Sequence, residues 1–261
     1  MQVVIAESTT QVGLLAARKV AQVIRRRADA VIGLATGSSP LAIYAELARQ
    51  VAEGELDCST LRAFALDEYV GLPPGHPESY RQVIQREVVE PLRLTPGLVH
   101  VPDGSAADVA AACTAYEQKL AQTGPVDIQI LGIGSNGHIG FNEPTSSFAS
   151  RTRIKTLAPK TRADNARFFS SLDEVPIHCL TQGLATILDA RELVLVAQGA
   201  KKAEAVAKMV EGPVTSMCPG SALQFHPNAT VIIDADAASR LTLTEYYRYS
   251  YDNLPDWQRF D

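Results

Sequence analysis

The chain has 261 residues, 46% of them hydrophobic and 20% charged, with a formal net charge of -5. That length holds a full core within one large α/β domain, and that balance excludes a disordered chain. The negative net charge and the lack of a long basic stretch argue against a nucleic-acid partner. Cys58, Cys113, Cys179 and Cys218 stand too far apart for a zinc motif or a disulfide framework, so they read as reduced thiols. The segment Met1–Glu7 lacks the basic start and apolar core of a signal peptide, and no apolar run approaches a membrane span. The expectation is a soluble cytoplasmic protein.

Apolar runs alternate with longer amphipathic stretches, which predicts an α/β fold: a mostly parallel sheet with helices on both faces. A strand over Val3–Ala6 leads into a helix over Thr10–Arg27. The next strand, Val31–Ala35, runs into Thr36-Gly37-Ser38-Ser39-Pro40 and a helix over Pro40–Glu53. Ser39 reads as the N-cap and Pro40 as the first helical residue. Free backbone N–H groups at such a turn suit a phosphate, although an ordinary capped turn has the same pattern. The G-K-[ST] ending of a Walker loop is missing.

A third strand, Leu61–Leu66, ends in Asp67-Glu68-Tyr69. A carboxylate there is either a turn former or a partly desolvated general base. Beyond it, Ser79 reads as the cap of a helix over Ser79–Val89, and a further helix is predicted over Ala106–Gln122.

The strand Ile128–Ile133 delivers the most informative segment, Gly132-Ile133-Gly134-Ser135-Asn136-Gly137-His138-Ile139-Gly140-Phe141-Asn142-Glu143-Pro144. Gly132, Gly134 and Gly137 spell the dinucleotide fingerprint, which needs a helix at once and an acidic residue about 20 positions on. Here loop residues Asn142–Ser147 follow, and no strand ends in an acid near Leu157. The glycines instead allow the backbone to approach a small ligand. His138 sits among them rather than on an apolar face and can exchange protons near neutral pH. Glu143 is placed to orient it, and no third ligand stands at metal spacing.

The alternation breaks between Phe141 and Val175, where a strand and a helix-like piece, Thr161–Phe169, are inserted. An insertion over an active-site edge, around 160–176, is a candidate lid. Helices over His178–Asp189 and Lys201–Val210 and strands over Leu193–Ala197 and Thr230–Ile233 complete one domain spanning 1–261. Arg167 and Lys202 are candidates to hold an anion from the side facing Thr36–Ser39. Ligands of open parallel sheets bind beyond the carboxyl ends of the strands, and three informative strand ends share that edge.

Taken together, Gly33 to Pro40, Leu66 to Leu72 with His76 to Tyr80, Gly132 to Pro144 and Ser150 to Leu157 resemble the glucosamine-6-phosphate deaminase family. The resemblance covers nearly the whole chain, from Val3 to about Ile233. It implies a modified Rossmann-like sheet of the kind shared with ribose-5-phosphate isomerases. It also implies conversion of glucosamine 6-phosphate and water to fructose 6-phosphate and ammonia, with neither a metal nor an organic cofactor. Asp67 resembles the base that moves a proton between C2 and C1, and His138, supported by Glu143, the group that opens the sugar ring. Thr36, Gly37, Ser38, Ser39, Arg167 and Lys202 would hold the phosphate.

Many members carry Asp where this chain has Asn136. An amide oxygen can accept a hydrogen bond from imidazole but cannot stabilise imidazolium by charge, so His138 is expected to hold its proton less tightly and to lean on Glu143. Some members are hexamers activated by N-acetylglucosamine 6-phosphate at a subunit boundary, and Ser146, Ser147, Arg153 and Lys155 match positions of that activator site. The tail Tyr246–Asp261 matches poorly; it docks either on its own core or on a neighbour. The nearest rival, 6-phosphogluconolactonase, usually continues after its histidine toward Leu-Phe-Pro, whereas Gly140-Phe141-Asn142-Glu143-Pro144 stands here. A sugar-phosphate sensor on the same sheet would be expected to carry a DNA-binding helix-turn-helix.

Overall fold

The computed structural model describes residues 1–260. Its centre is a parallel sheet of seven strands in the order β1 (Gln2–Ala6), β10 (Ala229–Asp234), β9 (Glu192–Ala197), β6 (Ile128–Leu131), β2 (Val31–Leu34), β3 (Arg62–Ala65), β5 (Val99–His100). Every residue of β2, β6 and β10 is buried. Their mostly apolar runs, broken by Gln129 in β6 and by Thr230 and Asp234 in β10, suit parallel strands covered on both faces. The crossovers use α1 (Thr9–Arg26), α2 (Leu41–Ala52), α3 (Tyr80–Ile84, continued by a π-helical turn to Val89), α4 (Val109–Thr123), α5 (Pro159–Asn165), α6 (Leu184–Leu188) and α7 (Ala203–Val210), and α8 (Thr244–Asp252) follows the last strand.

Strand order decides where a ligand can go. From β2 the chain steps outward to β3 and β5; from β6 it steps the other way to β9 and β10. The loops leaving β2 and β6 therefore diverge, and the crevice between them is a topological switch point, the usual binding place of such sheets. Both segments singled out for their glycines and hydroxyls leave the sheet there. The first is fixed from below by Tyr44 of α2, whose buried hydroxyl accepts from the Ala35 N–H (3.1 Å) and donates to the Ala35 carbonyl (2.8 Å). Tyr44→Phe orphans both backbone groups. It is expected to lower stability by about 1–3 kcal/mol in urea unfolding and to loosen the Thr36–Ser39 loop.

A second sheet of three antiparallel strands, β4 (Asp67–Tyr69), β8 (His178–Thr181) and β7 (Arg153–Thr156), stands over this edge. The chain changes sheets at Leu66, whose N–H donates to Leu34 of the large sheet while its carbonyl accepts from Gln182. Asp67 is therefore the first residue of β4 rather than the end of the third strand. The periodicity predicts one helix over His178–Asp189; instead His178–Thr181 is β8, and only Leu184–Leu188 is helical. β8 is sandwiched between β4 and β7, so pairing on both sides overrides the local pattern of a short apolar run.

Two start sites also differ. Ser39 makes no capping bond and Pro40 holds the N-cap position of α2, with its carbonyl accepting from Ile43 and Tyr44. The helix predicted from Ala106 starts at Val109, because Asp108 caps it through the Ala111 N–H. The Ser79 cap is as expected, accepting from the Gln82 N–H. The tail docks on its own core: α8 packs on β1, Phe260 is buried, and its ring contacts Tyr251 and lies under the Lys19 ammonium. No helix among the described residues is long and apolar enough to cross a membrane.

Candidate active site

A cavity of about 680 Å3 opens at the switch point. Thr36, Gly37, Ser38 and Ser39 line it from the β2 loop, Gly132 to Ser135 and His138 from the β6 loop, Asp67 and Tyr80 from β4 and α3, and Lys160, Thr161, Ala163 to Asn165, Arg167 and Lys202 from the segments beyond. The structure thus brings together eight of the ten residues assigned to catalysis and phosphate: Thr36, Gly37, Ser38, Ser39, Asp67, His138, Arg167 and Lys202. Asn136 and Glu143 stand behind His138 and reach the cavity only through it.

Asp67 is the most unusual group. It is 5% exposed, and its carboxylate takes no hydrogen bond from any described residue. Burial pushes its pKa well above the ordinary range, and the neighbouring Glu68 carboxylate adds to the push. Such a group is poised to take a proton at neutral pH rather than to be inertly ionised. Glu68 itself is buried too, but it accepts three backbone N–H groups, from Tyr69 (2.8 Å), Tyr80 (2.9 Å) and Arg81 (2.9 Å). It ties the start of α3 to β4. Gly140, at φ 52°, brings its backbone close to Thr181, where a side chain would crowd the threonine hydroxyl and meet Asp67 in ordinary contact.

The imidazole lies across Gly134, where a Cβ would collide with the ring, so only glycine permits this rotamer. Its Nδ1 is 3.6 Å from Glu143 Oε2, too long for a hydrogen bond but close enough for an ion pair. Burial works against an ionised Glu143, yet the imidazole, the Thr161 hydroxyl and the Ala158 N–H outweigh it and hold the carboxyl at about 2. Asn136 makes no hydrogen bond to the imidazole among the described residues. Its Oδ1 accepts the His138 backbone N–H (3.2 Å) and its Nδ2 donates to Glu143 Oε2 (2.7 Å). The tight turn at Gly137 faces the amide back onto its own loop.

Asn136→Asp therefore sets a carboxylate on the same oxygen that faces the ring. The added negative charge favours the protonated acid–base pair, and the affected limb of the pH–rate profile is expected to move up by about one unit. An unmoved profile would remove Asn136 from the catalytic group.

At the other end, Arg167 Nη2 donates to Ser38 Oγ (3.2 Å) and Lys202 Nζ to the Ile133 carbonyl (2.7 Å). Burial pushes the Lys202 ammonium down, as do Arg167 and Lys160, while Asp164 works the other way. With Lys160 and Lys201 this makes four cations around one end of the cavity. No helix opens after Gly137; an Ile139–Asn142 bridge follows instead, so the dinucleotide reading has no structural basis.

Sequence reasoning missed Tyr80 and Asn165 of the lining, and Tyr69, which bonds to both. Tyr69 and Tyr80 join through their hydroxyls (3.3 Å), and Asn165 of α5 donates to Tyr69 Oη (3.1 Å). Lys160, Asp164 and Lys201 also line the cavity. Tyr80 alone carried a local signal, one residue beyond the Ser79 cap. Ser146, Ser147, Arg153 and Lys155 lie outside the cavity. Ser146 is buried with its hydroxyl on the Glu143 carbonyl (2.7 Å), Ser147 accepts the Ala149 N–H, and Arg153 and Lys155 share one face of the edge strand β7.

Residues 5–232 match the family described as glucosamine-6-phosphate isomerases/6-phosphogluconolactonase. The chain is 58% identical over 258 residues to a glucosamine-6-phosphate deaminase of Arthrobacter sp. (strain FB24), covering 99% of both. Among solved structures it resembles a monomeric glucosamine-6-phosphate deaminase, with a TM-score of 0.90, 42% identity, and 92% of this chain and 100% of that one covered. A 6-phosphogluconolactonase from Trypanosoma brucei shares the fold, at a TM-score of 0.74 and 20% identity over 92% of this chain and 98% of that one. The match runs through the diverging loops of β2 and β6 and through Asp67, and the chain belongs to the family of glucosamine-6-phosphate isomerases and 6-phosphogluconolactonases.

Proposed function

We propose that the chain is a glucosamine-6-phosphate deaminase, converting D-glucosamine 6-phosphate and water to D-fructose 6-phosphate and ammonia. The observation that carries this is Asp67: a buried, unpartnered carboxylate facing a cavity that also holds an imidazole at one side and four cations at its end. The full-length relative at 58% identity bears the same name.

The phosphate lies among Thr36, Gly37, Ser38, Ser39, Arg167 and Lys202. Backbone N–H groups before α2 and the two basic side chains complement its charge. His138 takes the proton of the C1 hydroxyl and delivers it to the ring oxygen as the C1–O5 bond breaks, and Glu143 stabilises the imidazolium that exists while the imidazole holds that proton. Asp67 then removes the C2 proton to give an enolamine and returns it at C1, two adjacent carbons within reach of one carboxylate. The resulting 2-imine takes up water and expels ammonia. No step calls on a group beyond this chain's own residues.

The test is ammonia release from glucosamine 6-phosphate, with fructose 6-phosphate quantified in the same tube. Stoichiometric appearance of both is expected. Hydrolysis of 6-phosphogluconolactone without ammonia would reassign the chain to the lactonase branch, and tight sugar-phosphate binding without turnover would favour a sensor.

Under the same reading Ser146, Ser147, Arg153 and Lys155 form an activator site. Its support is Arg153 Nη2, a buried donor with no hydrogen-bond partner among the described residues. Comparison of rate curves with and without N-acetylglucosamine 6-phosphate checks it, and a neighbouring subunit would complete it.

A further inference from the structure

The cation cluster at the phosphate end contains one group of the wrong sign. Asp164 stands in the last turn of α5, at the mouth of the cavity, in the segment that closes over Thr36–Ser39. Its Oδ2 accepts from Ser135 Oγ at 3.0 Å, so the lid is joined to the β6 loop through a negative charge. Its neighbours on the same wall are Lys160, Arg167 and Lys202, the groups that would meet a phosphate. Its charge acts on Lys202 against the mutual repulsion of those cations. Nothing in the closure of the lid requires the charge: Arg167 to Ser38 and Asn165 to Tyr69 already fasten it on two other sides.

We propose that Asp164 is an affinity-setting residue, an internal anion that competes with the phosphate group of the ligand for the cations and the Ser135 hydroxyl at the mouth of the site. The inference rests on the assignment of that end of the cavity to phosphate. Its consequence follows from the reaction: substrate and product carry the same phosphate, so a clamp of four unopposed cations would hold both equally tightly. A carboxylate carried on α5 weakens that hold for both and speeds product departure. Because Asp164 is exposed, the effect is modest and falls with salt.

The sign of the effect separates this from a merely structural latch. Asp164→Asn keeps an oxygen able to accept from Ser135 and removes the charge. Titration calorimetry of the full chain with inorganic phosphate is expected to show binding tightened by about two- to fivefold, with the gain shrinking as sodium chloride is raised. The inhibition constant of fructose 6-phosphate should fall in the same proportion. Asp164→Ala, which removes the hydrogen bond as well, should also tighten phosphate. Weaker binding in both variants would show a latch and overturn the proposal, and unchanged binding would overturn it too. Inorganic phosphate probes the clamp whatever the reaction is, so failure here is distinct from failure to release ammonia.

Discussion

Asp67→Asn is expected to lower kcat for the sugar phosphate by about 10²–10⁴-fold while raising the melting temperature. The two effects come from one cause. A buried carboxylate without a hydrogen bond, next to the buried Glu68, is a strained place for a charge, and the fold holds it there at a cost to its own stability. The amide is nearly the same shape and carries no charge, so it removes the cost along with the base. A gain near 1 kcal/mol corresponds to about 2–4 °C in a domain of this size. The sign with pH follows from linkage. The folded pKa of Asp67 lies above its unfolded value, so the wild type is destabilised as pH rises through the folded pKa, and the penalty is absent below the unfolded value of about 3.9. The advantage of Asp67→Asn should therefore be largest at neutral pH and vanish in acid. Thermal melts of both proteins across that range check it. A variant that loses activity and stability together would mean that Asp67 supports the fold rather than the chemistry.

What could be read beforehand, and what could not, divides along a physical line. Thr36–Ser39 and Gly132–Pro144 were legible because each joins directly to a buried strand, and parallel strands of one sheet present their carboxyl ends to the same edge. Two facts carried in the local chain sufficed. Asp67 was legible as a candidate but not as a buried one, because its burial comes from β4 pairing with β8, a strand more than a hundred residues away. The same distance hid β8 inside a predicted helix. Tyr69 and Asn165 meet across 96 residues, so no local pattern announces them. The partners of the Asn136 amide, Glu143 and the His138 N–H, were not legible, since its direction depends on the turn at Gly137 rather than on its spacing from His138. Resemblance supplied the roles, and tertiary pairing supplied the environments that make those roles chemically reasonable.

Glu143→Gln is expected to cost both stability and turnover, the opposite pairing to Asp67→Asn. Glu143 is 5% exposed, and every contact made by its carboxylate comes from a donor: Asn136 Nδ2, the Ala158 N–H, the Thr161 hydroxyl and the imidazole. Replacing one oxygen by NH₂ sets a donor against one of these donors, and removes the charge that stabilises imidazolium. The folded carboxyl sits at about 2, below its ordinary value. Its contribution is therefore present above the unfolded value of about 4.3 and is lost as pH falls toward 2. At neutral pH the substitution should lower stability by about 3 kcal/mol, and the gap between the two proteins should close between pH 4 and pH 2. Turnover should fall by about 10²-fold or more, through the ring-opening step. That step can be bypassed in part by raising the fraction of open-chain sugar, so a gain in relative activity on a substrate already open at C1 would identify the step. Equal losses on closed and open substrates would instead show that Glu143 acts by holding the start of α5, through Ala158 and Thr161, and not through His138.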